Sequence, residues 1–212
     1  MINYPQKVFN SVLDVIFPKV CLGCGKFTHS TEFPRSGRCP TPRTNLGQAG
    51  DFDYVCKKCF GEIAIKNTLE CIGCKRETKF GLTCLSCKKD NSVDQLLIAA
   101  DLSNASVDKM IKAYKYKFIP DLSLPLSVIA KKSVKKLLNK KFNLFDDNPL
   151  LIPVPLHKKR LNWRGFNQAG LLAKSIADSY HISYNSDVLT RISSPKHQAD
   201  IKTREERLNN VK

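Results

Sequence analysis

Eight of the nine cysteines stand in Cys-x-x-Cys pairs: Cys21/Cys24, Cys56/Cys59, Cys71/Cys74 and Cys84/Cys87. This spacing suits a tetrahedral metal, because one tight turn sets two thiolates on an ion and a second turn supplies the other two. The glycines within CLGCG (21–25) let the backbone turn under the metal, and CIGCK (71–75) repeats the pattern. Nine residues separate the third pair from the fourth, so these are expected to share one ion. Cys21, Cys24, Cys56 and Cys59 then form the other site across 31 intervening residues, with an interleaved pairing as the alternative. The longer closure costs only about 1 kcal/mol more than a loop of ~12 residues. Structural zinc contributes on the order of 10 kcal/mol or more, which offsets it. Four thiolates leave no position for water, so two structural Zn²⁺ ions are expected. One zinc with free thiols, an iron–sulfur cluster and Cys-x-x-Cys redox chemistry are the other readings of the same spacing. Lys57, Lys58, Lys75, Arg76, Lys88 and Lys89 flank the sulfurs. They are expected to offset the charge of a four-thiolate centre, with nucleic-acid contact as the second reading.

The other chemically loaded stretch is IPVPLHKKRLNWRGFNQAG, residues 152–170. A strand beginning at Leu150 runs into Pro153 and Pro155, which bar a helix there. A loop is then expected to carry His157, Lys158, Lys159, Arg160 and Arg164. Gly165 releases the backbone, and Gln168 to Tyr180 reads as a helix. A strand, a cationic loop and a helix N-terminus in series make an anion site, because N–H groups and cations converge. A solvated basic loop with a turn glycine is the plainer alternative.

These residues sit in a 212-residue chain with net charge +16, from 35 Lys and Arg against 19 Asp and Glu. Such an excess favours a polyanion or a phosphorylated metabolite as partner. The chain has no 18-residue apolar run and no signal-peptide pattern. Nine cysteines without a secretion signal are expected as thiols, in the cytoplasm. Val8, Val12, Leu13 and Ile16 have helical spacing, so residues 1–17 are expected to form an amphipathic docking helix. Residues 18–90 form the cysteine-rich domain. Within it 27–50 is polar and rich in Pro, Gly, Ser and Thr, and is expected to be a disordered insertion with Cys39 as a free thiol. After Asp90 the cysteines stop, and 91–212 is expected as an α/β domain. Its expected elements are a strand at Gln95–Ala100, helices at Ser106–Tyr116 and Leu122–Leu138, the strand at Leu150–Val154 and the helix from Gln168. An apolar stretch at Val188-Leu189 and a last helix opened by Thr203 with Glu206 in capping-box spacing follow. Strands alternating with helices argue for a parallel sheet.

Taken together, CLGCG, the four cysteine pairs, the KYK after a helix, PVPLHKKRLNWRGFNQA, the Gln198-to-Arg204 spacing and RLNNV resemble the ComF family. The resemblance covers the chain apart from about 27–50. It implies a double zinc ribbon followed by a type I phosphoribosyltransferase-like parallel sheet with flanking helices, incomplete at the C-terminus. It implies displacement of pyrophosphate from phosphoribosyl pyrophosphate, with Mg²⁺ chelated by that substrate, in a setting of natural competence, DNA uptake and nucleotide metabolism. Arg160, Arg164, Gly165, Phe166, Asn167 and Gln168 would then lie on the pyrophosphate side, with Arg204 in a loop folding over it. Arginine is favoured over Lys158 because its fork binds phosphate in a bidentate way. Trp163 and Phe166 are expected to pack as anchors, with base stacking as the second reading. The acidic pair and the Thr/Gly turn that hold ribose phosphate in such folds are missing. Asp146-Asp147 has no strand before it and no glycine after it. This chain alone is therefore expected to be inactive, with a three-strand remnant and an unpaired sheet edge. The alternative is a non-enzymatic zinc-ribbon protein that binds single-stranded DNA alongside competence-machinery proteins. A fragment whose zinc half alone folds is the third reading.

Overall fold

The structure, a computed structural model, describes residues 19–28, 52–66, 68–139, 148–193, 202–203 and 205–206. The expected helix at 1–17, most of the 27–50 insertion with Cys39, Asp146-Asp147, Gln198 and Arg204 lie outside the described residues. The chain divides into two compact units, 1–146 and 147–212. The change of composition at Asp90 falls within the first of them.

In the first unit each cysteine module has the same two parts. A knuckle comes first, closed by the antiparallel bridges Val20–Phe27 in one module and Glu70–Glu77 in the other. Inside it Cys21 N–H donates to Lys26 O at 2.8 Å, and Cys71 N–H to Arg76 O at 2.9 Å. A short helix then carries the second pair: α1, Lys57–Gly61, follows Cys56, and α2, Leu85–Lys88, follows Cys84. Two longer helices follow among the described residues of the unit. In α3, Ala105–Tyr116, Asn104 caps the start by accepting from Ser106 and Val107 N–H. Val107, Met110, Ala113 and Tyr114 are buried, the 3/4 spacing of one apolar stripe. A 3-10 turn, Pro120–Leu122, leads into α4, Ser123–Asn139. Pro125 falls in its first turn, where a missing N–H breaks no helical bond. Leu126, Ile129, Val134 and Leu137 face inward. Phe60 of α1 is buried between partners, edge-on to Phe52 at 4.7 Å and 5.0 Å from Lys132 Nζ of α4.

The expected strand at Gln95–Ala100 does not form. The segment pairs only locally: Gln95 bridges Leu82, Leu96 N–H donates to Gly81 O, and Ala99 O accepts from Lys66 N–H. Gly81 and Leu82 belong to the turning backbone of the second cysteine module, which does not run alongside long enough for a ladder.

The second unit holds a parallel two-stranded sheet. Leu150–Leu151 (β1) pairs with Ser183–Tyr184 (β2) in the register Leu150 to Ser183 and Leu151 to Tyr184. Between them run α5, Lys158–Arg164, and α6, Gln168–Tyr180. This is the parallel, helix-crossed arrangement expected of an α/β chain, with two strands among the described residues in place of three. The expected strand to Val154 stops at Leu151, because Pro153 and Pro155 remove the N–H groups a ladder needs. The Val188-Leu189 stretch forms no strand and is about half exposed, at 49% and 51%. The pairing falls instead on Ser183-Tyr184. Glu206 N–H donates to Thr203 Oγ1 at 3.2 Å, the capping contact expected there. Among the described residues no helix is long and apolar enough to cross a membrane.

Candidate metal centres and the cationic segment

The eight paired cysteines converge into two groups, Cys21/Cys24/Cys56/Cys59 and Cys71/Cys74/Cys84/Cys87. This is the non-interleaved grouping expected from their spacing. In each group the four sulfurs lie within 4.8 Å of one another. Cys24 and Cys56 Sγ are 3.9 Å apart, and Cys84 Sγ is 3.8 Å from both Cys71 and Cys74. A zinc ion with Zn–S bonds of about 2.3 Å requires tetrahedral edges of about 3.8 Å, whereas a disulfide needs about 2.05 Å. The donor set therefore fits two four-thiolate zinc ions and excludes bridging in this arrangement.

Backbone N–H groups aim at the sulfurs. Cys56 N–H donates to Cys21 Sγ at 3.3 Å, and Cys84 N–H donates to Cys71 Sγ at 3.4 Å. Burial raises the Cys21 thiol, but the N–H groups of Cys56, Cys24 and Gly23 outweigh it and bring it down to about 6. Cys71 falls to about 6 through N–H bonds from Cys74 and Cys84. Cys59 moves the other way, to about 12, through burial and then its contacts with Cys56, Cys24 and Cys21. Cys87 rises to about 12 through its contact with Cys84 and then burial. Four crowded thiols cannot all ionise on their own, and a dication reverses that balance by drawing off the remaining protons. Of the flanking cations, Arg76 reaches a sulfur: its Nε donates to Cys74 Sγ at 3.4 Å and lowers that thiol.

In the second unit the expected cationic loop is a helix. His157 Nδ1 caps α5 by accepting from Lys159 N–H at 3.3 Å, and Gly165 ends the helix at φ 77°. The helix forms because KKRLNWR holds no breaker between the proline run and Gly165. Helical geometry puts Arg160 and Arg164 one turn apart on the same face. Arg164 Nη1 donates to Gln168 Oε1 at 3.1 Å, which ties α5 to the first turn of α6. Asn167 caps α6 by accepting from Ala169 N–H at 3.0 Å, and its Nδ2 donates to Val154 O at 3.2 Å. Arg160, Arg164, Phe166 and Asn167 are half-buried and Gln168 is buried, while Gly165 is exposed. Trp163 is 57% exposed and so is not the packed anchor expected of it.

A cleft in the first unit is lined by Lys66, Lys79, Phe80, Ser133 and Lys136. No motif links these residues, because α4 is brought to the second cysteine module only by folding. The one local sign is Phe80 beside Gly81, both at positive φ.

No family model, curated protein or solved structure matches the chain.

Proposed function

We propose that the chain is a zinc-stabilised protein of the ComF type, in which the segment from Arg160 to Gln168 binds phosphoribosyl pyrophosphate or another phosphorylated small molecule. The motif PVPLHKKRLNWRGFNQA supports this reading. The observation that carries it is the Arg164–Gln168 hydrogen bond, which fixes a guanidinium between two helices. A guanidinium has five N–H donors, and the bond to Gln168 orients this one, the kind of group that phosphate recognition uses. Asn167 and Gly165 hold the turn that sets α5 against α6. The family chemistry is displacement of pyrophosphate by a nitrogen nucleophile, with Mg²⁺ arriving on the substrate. Among the described residues the groups arranged for a metal are the two cysteine sets. The test is calorimetric titration of the zinc-loaded chain with phosphoribosyl pyrophosphate and Mg²⁺. Saturable binding that Arg164→Gln weakens about tenfold or more is expected, in line with the loss of a charge-assisted hydrogen bond. Absence of saturable binding, or an unaltered Arg164→Gln protein, would overturn the proposal.

Exposed Trp163 favours a second reading, because it stands in the same helix as Lys158, Lys159 and Arg160. An aromatic face among cations suits single-stranded DNA, by base stacking plus phosphate contact. That reading expects binding to oligothymidylate that weakens steeply with salt and falls with Trp163→Ala. Salt-independent binding speaks against it.

A further inference from the structure

The first unit contains a cleft of ≈ 330 Å³ between the second cysteine module and α4. That volume lies at the small end of ligand sites and suits a compact metabolite better than a peptide. Its floor is apolar, for Leu69 and Leu137 line it and are 6% and 5% exposed. Its rim is cationic. Lys66 Nζ is held by Glu70 Oε1 at 2.5 Å, which balances its charge and fixes its position. Lys79 and Lys136 together face one lining carboxylate, Glu77, so the rim keeps a positive excess.

Two further features mark the cleft as more than a gap in packing. Ser133, at 3% exposure, places a hydroxyl in its wall on the inward side of α4, where Ile129, Val134 and Leu137 are apolar. Phe80 also lines the cleft, at φ 58°, a left-handed conformation that bulky residues avoid and that gathers at ligand sites. Gln95 Nε2 donates to Phe80 O at 2.7 Å and holds that conformation. The Lys79 ammonium lies 5.3 Å from the Phe80 ring centre, which brings cation and aromatic surface together.

We propose that this cleft binds a small phosphomonoester carrying an aromatic ring, of the class of a nucleoside monophosphate. Lys79, Lys136 and the Ser133 hydroxyl take the phosphate, and the ring lies against Phe80 and the leucine floor. A phosphomonoester carries about −1.5 to −2 charges at pH 7, which two ammonium groups match better than they match a carboxylate. The lining of the cleft includes no residue of the Arg160–Gln168 segment, and the proposal does not depend on the function proposed for that segment.

The test is calorimetric titration of the zinc-loaded full chain with adenosine monophosphate, adenosine and inorganic phosphate. Adenosine monophosphate is expected to bind saturably and more tightly than either fragment. Lys136→Gln should weaken it about tenfold or more, the effect of losing one charged hydrogen bond. The adjacent Lys135→Gln serves as control, since Lys135 is exposed and outside the cleft while Lys136 is half-buried in its wall. Should Lys136→Gln lose zinc or helix content, Lys79→Gln replaces it as the test variant. Equal losses in the Lys135 and Lys136 variants would show diffuse charge attraction and overturn the proposal. Inorganic phosphate binding as tightly as the nucleotide would overturn the role of the apolar floor. Binding abolished by Arg164→Gln but not by Lys136→Gln would move the ligand to the other unit and overturn it as well.

Discussion

Gly73 faces Cys87 so closely that a Cβ on the glycine would lie 2.8 Å from the Cys87 sulfur. Gly23 stands in the same relation to Cys59, at 2.7 Å. The glycine inside each leading Cys-x-Gly-Cys is thus where the knuckle approaches the last sulfur of its own site. A sulfur bound to metal cannot swing aside, so an added methyl must displace the knuckle or the ligand. Gly73→Ala and Gly23→Ala are each expected to destabilise the zinc-bound form by about 1–3 kcal/mol, the range for overpacking. Competition with a chromophoric chelator measures this. Affinities equal to that of the parent chain would show that the close approach imposes no constraint.

The two knuckles differ at the residue after the second cysteine. Gly25 has φ 74°, and its counterpart Lys75 adopts φ 62°. A left-handed conformation costs a residue with a Cβ roughly 1–2 kcal/mol, of which the extra unfolded-state freedom of glycine takes back about 0.4–1. Lys75→Gly is therefore expected to stabilise the second module slightly, by up to about 1 kcal/mol. Gly25→Lys should destabilise the first by a similar amount. Thermal unfolding of the two zinc-loaded variants reads both signs. A destabilised Lys75→Gly protein would show that the lysine side chain contributes more than its backbone costs.

The metal centres were legible because their information is local. A knuckle is five residues long, and two thiolates at one spacing can meet a metal in few ways. The same holds for α3 and α4, whose apolar stripes carry the helical period. Legibility ended where partners came from far away. Nothing in Ser183-Tyr184 signals a strand, since two residues show no alternation and the pairing depends on the crossover through α5 and α6. Gln95–Ala100 has strand composition yet lacks a neighbour that runs straight. In the α5 segment the charge is more conspicuous than the lack of helix breakers, and charge alone suggests a loop. The cleft beside Phe80 required α4 to be placed against the second cysteine module, which no spacing in the sequence reports.

Removing metal tests the two centres separately. Each group supplies four thiolates from its own module, so elemental analysis of the purified chain is expected to find about two zinc ions. Cys71→Ser should lower this to about one and leave the Cys21 group loaded. Cys21→Ser should do the converse. Retention of both ions in either variant would refute the four-thiolate assignment, as would one ion in the parent chain.

Tyr114 gives the first unit an alkaline limit. It is 2% exposed, and burial pushes its phenol well above the usual tyrosine range. The folded state therefore favours the neutral phenol. Its contribution is fully present below the unfolded value of about 10 and is lost as pH rises from there toward the folded value. Denaturant unfolding of the zinc-loaded chain is expected to show stability falling between about pH 10 and pH 11, over the lower part of that window. Tyr114→Phe removes the ionisable group while keeping the ring, and should flatten this loss. Tyr116→Phe is the control, because Tyr116 is 51% exposed. The comparison that decides is between the two variants. A pH profile altered equally by both substitutions, or by neither, would place the alkaline limit elsewhere than at Tyr114.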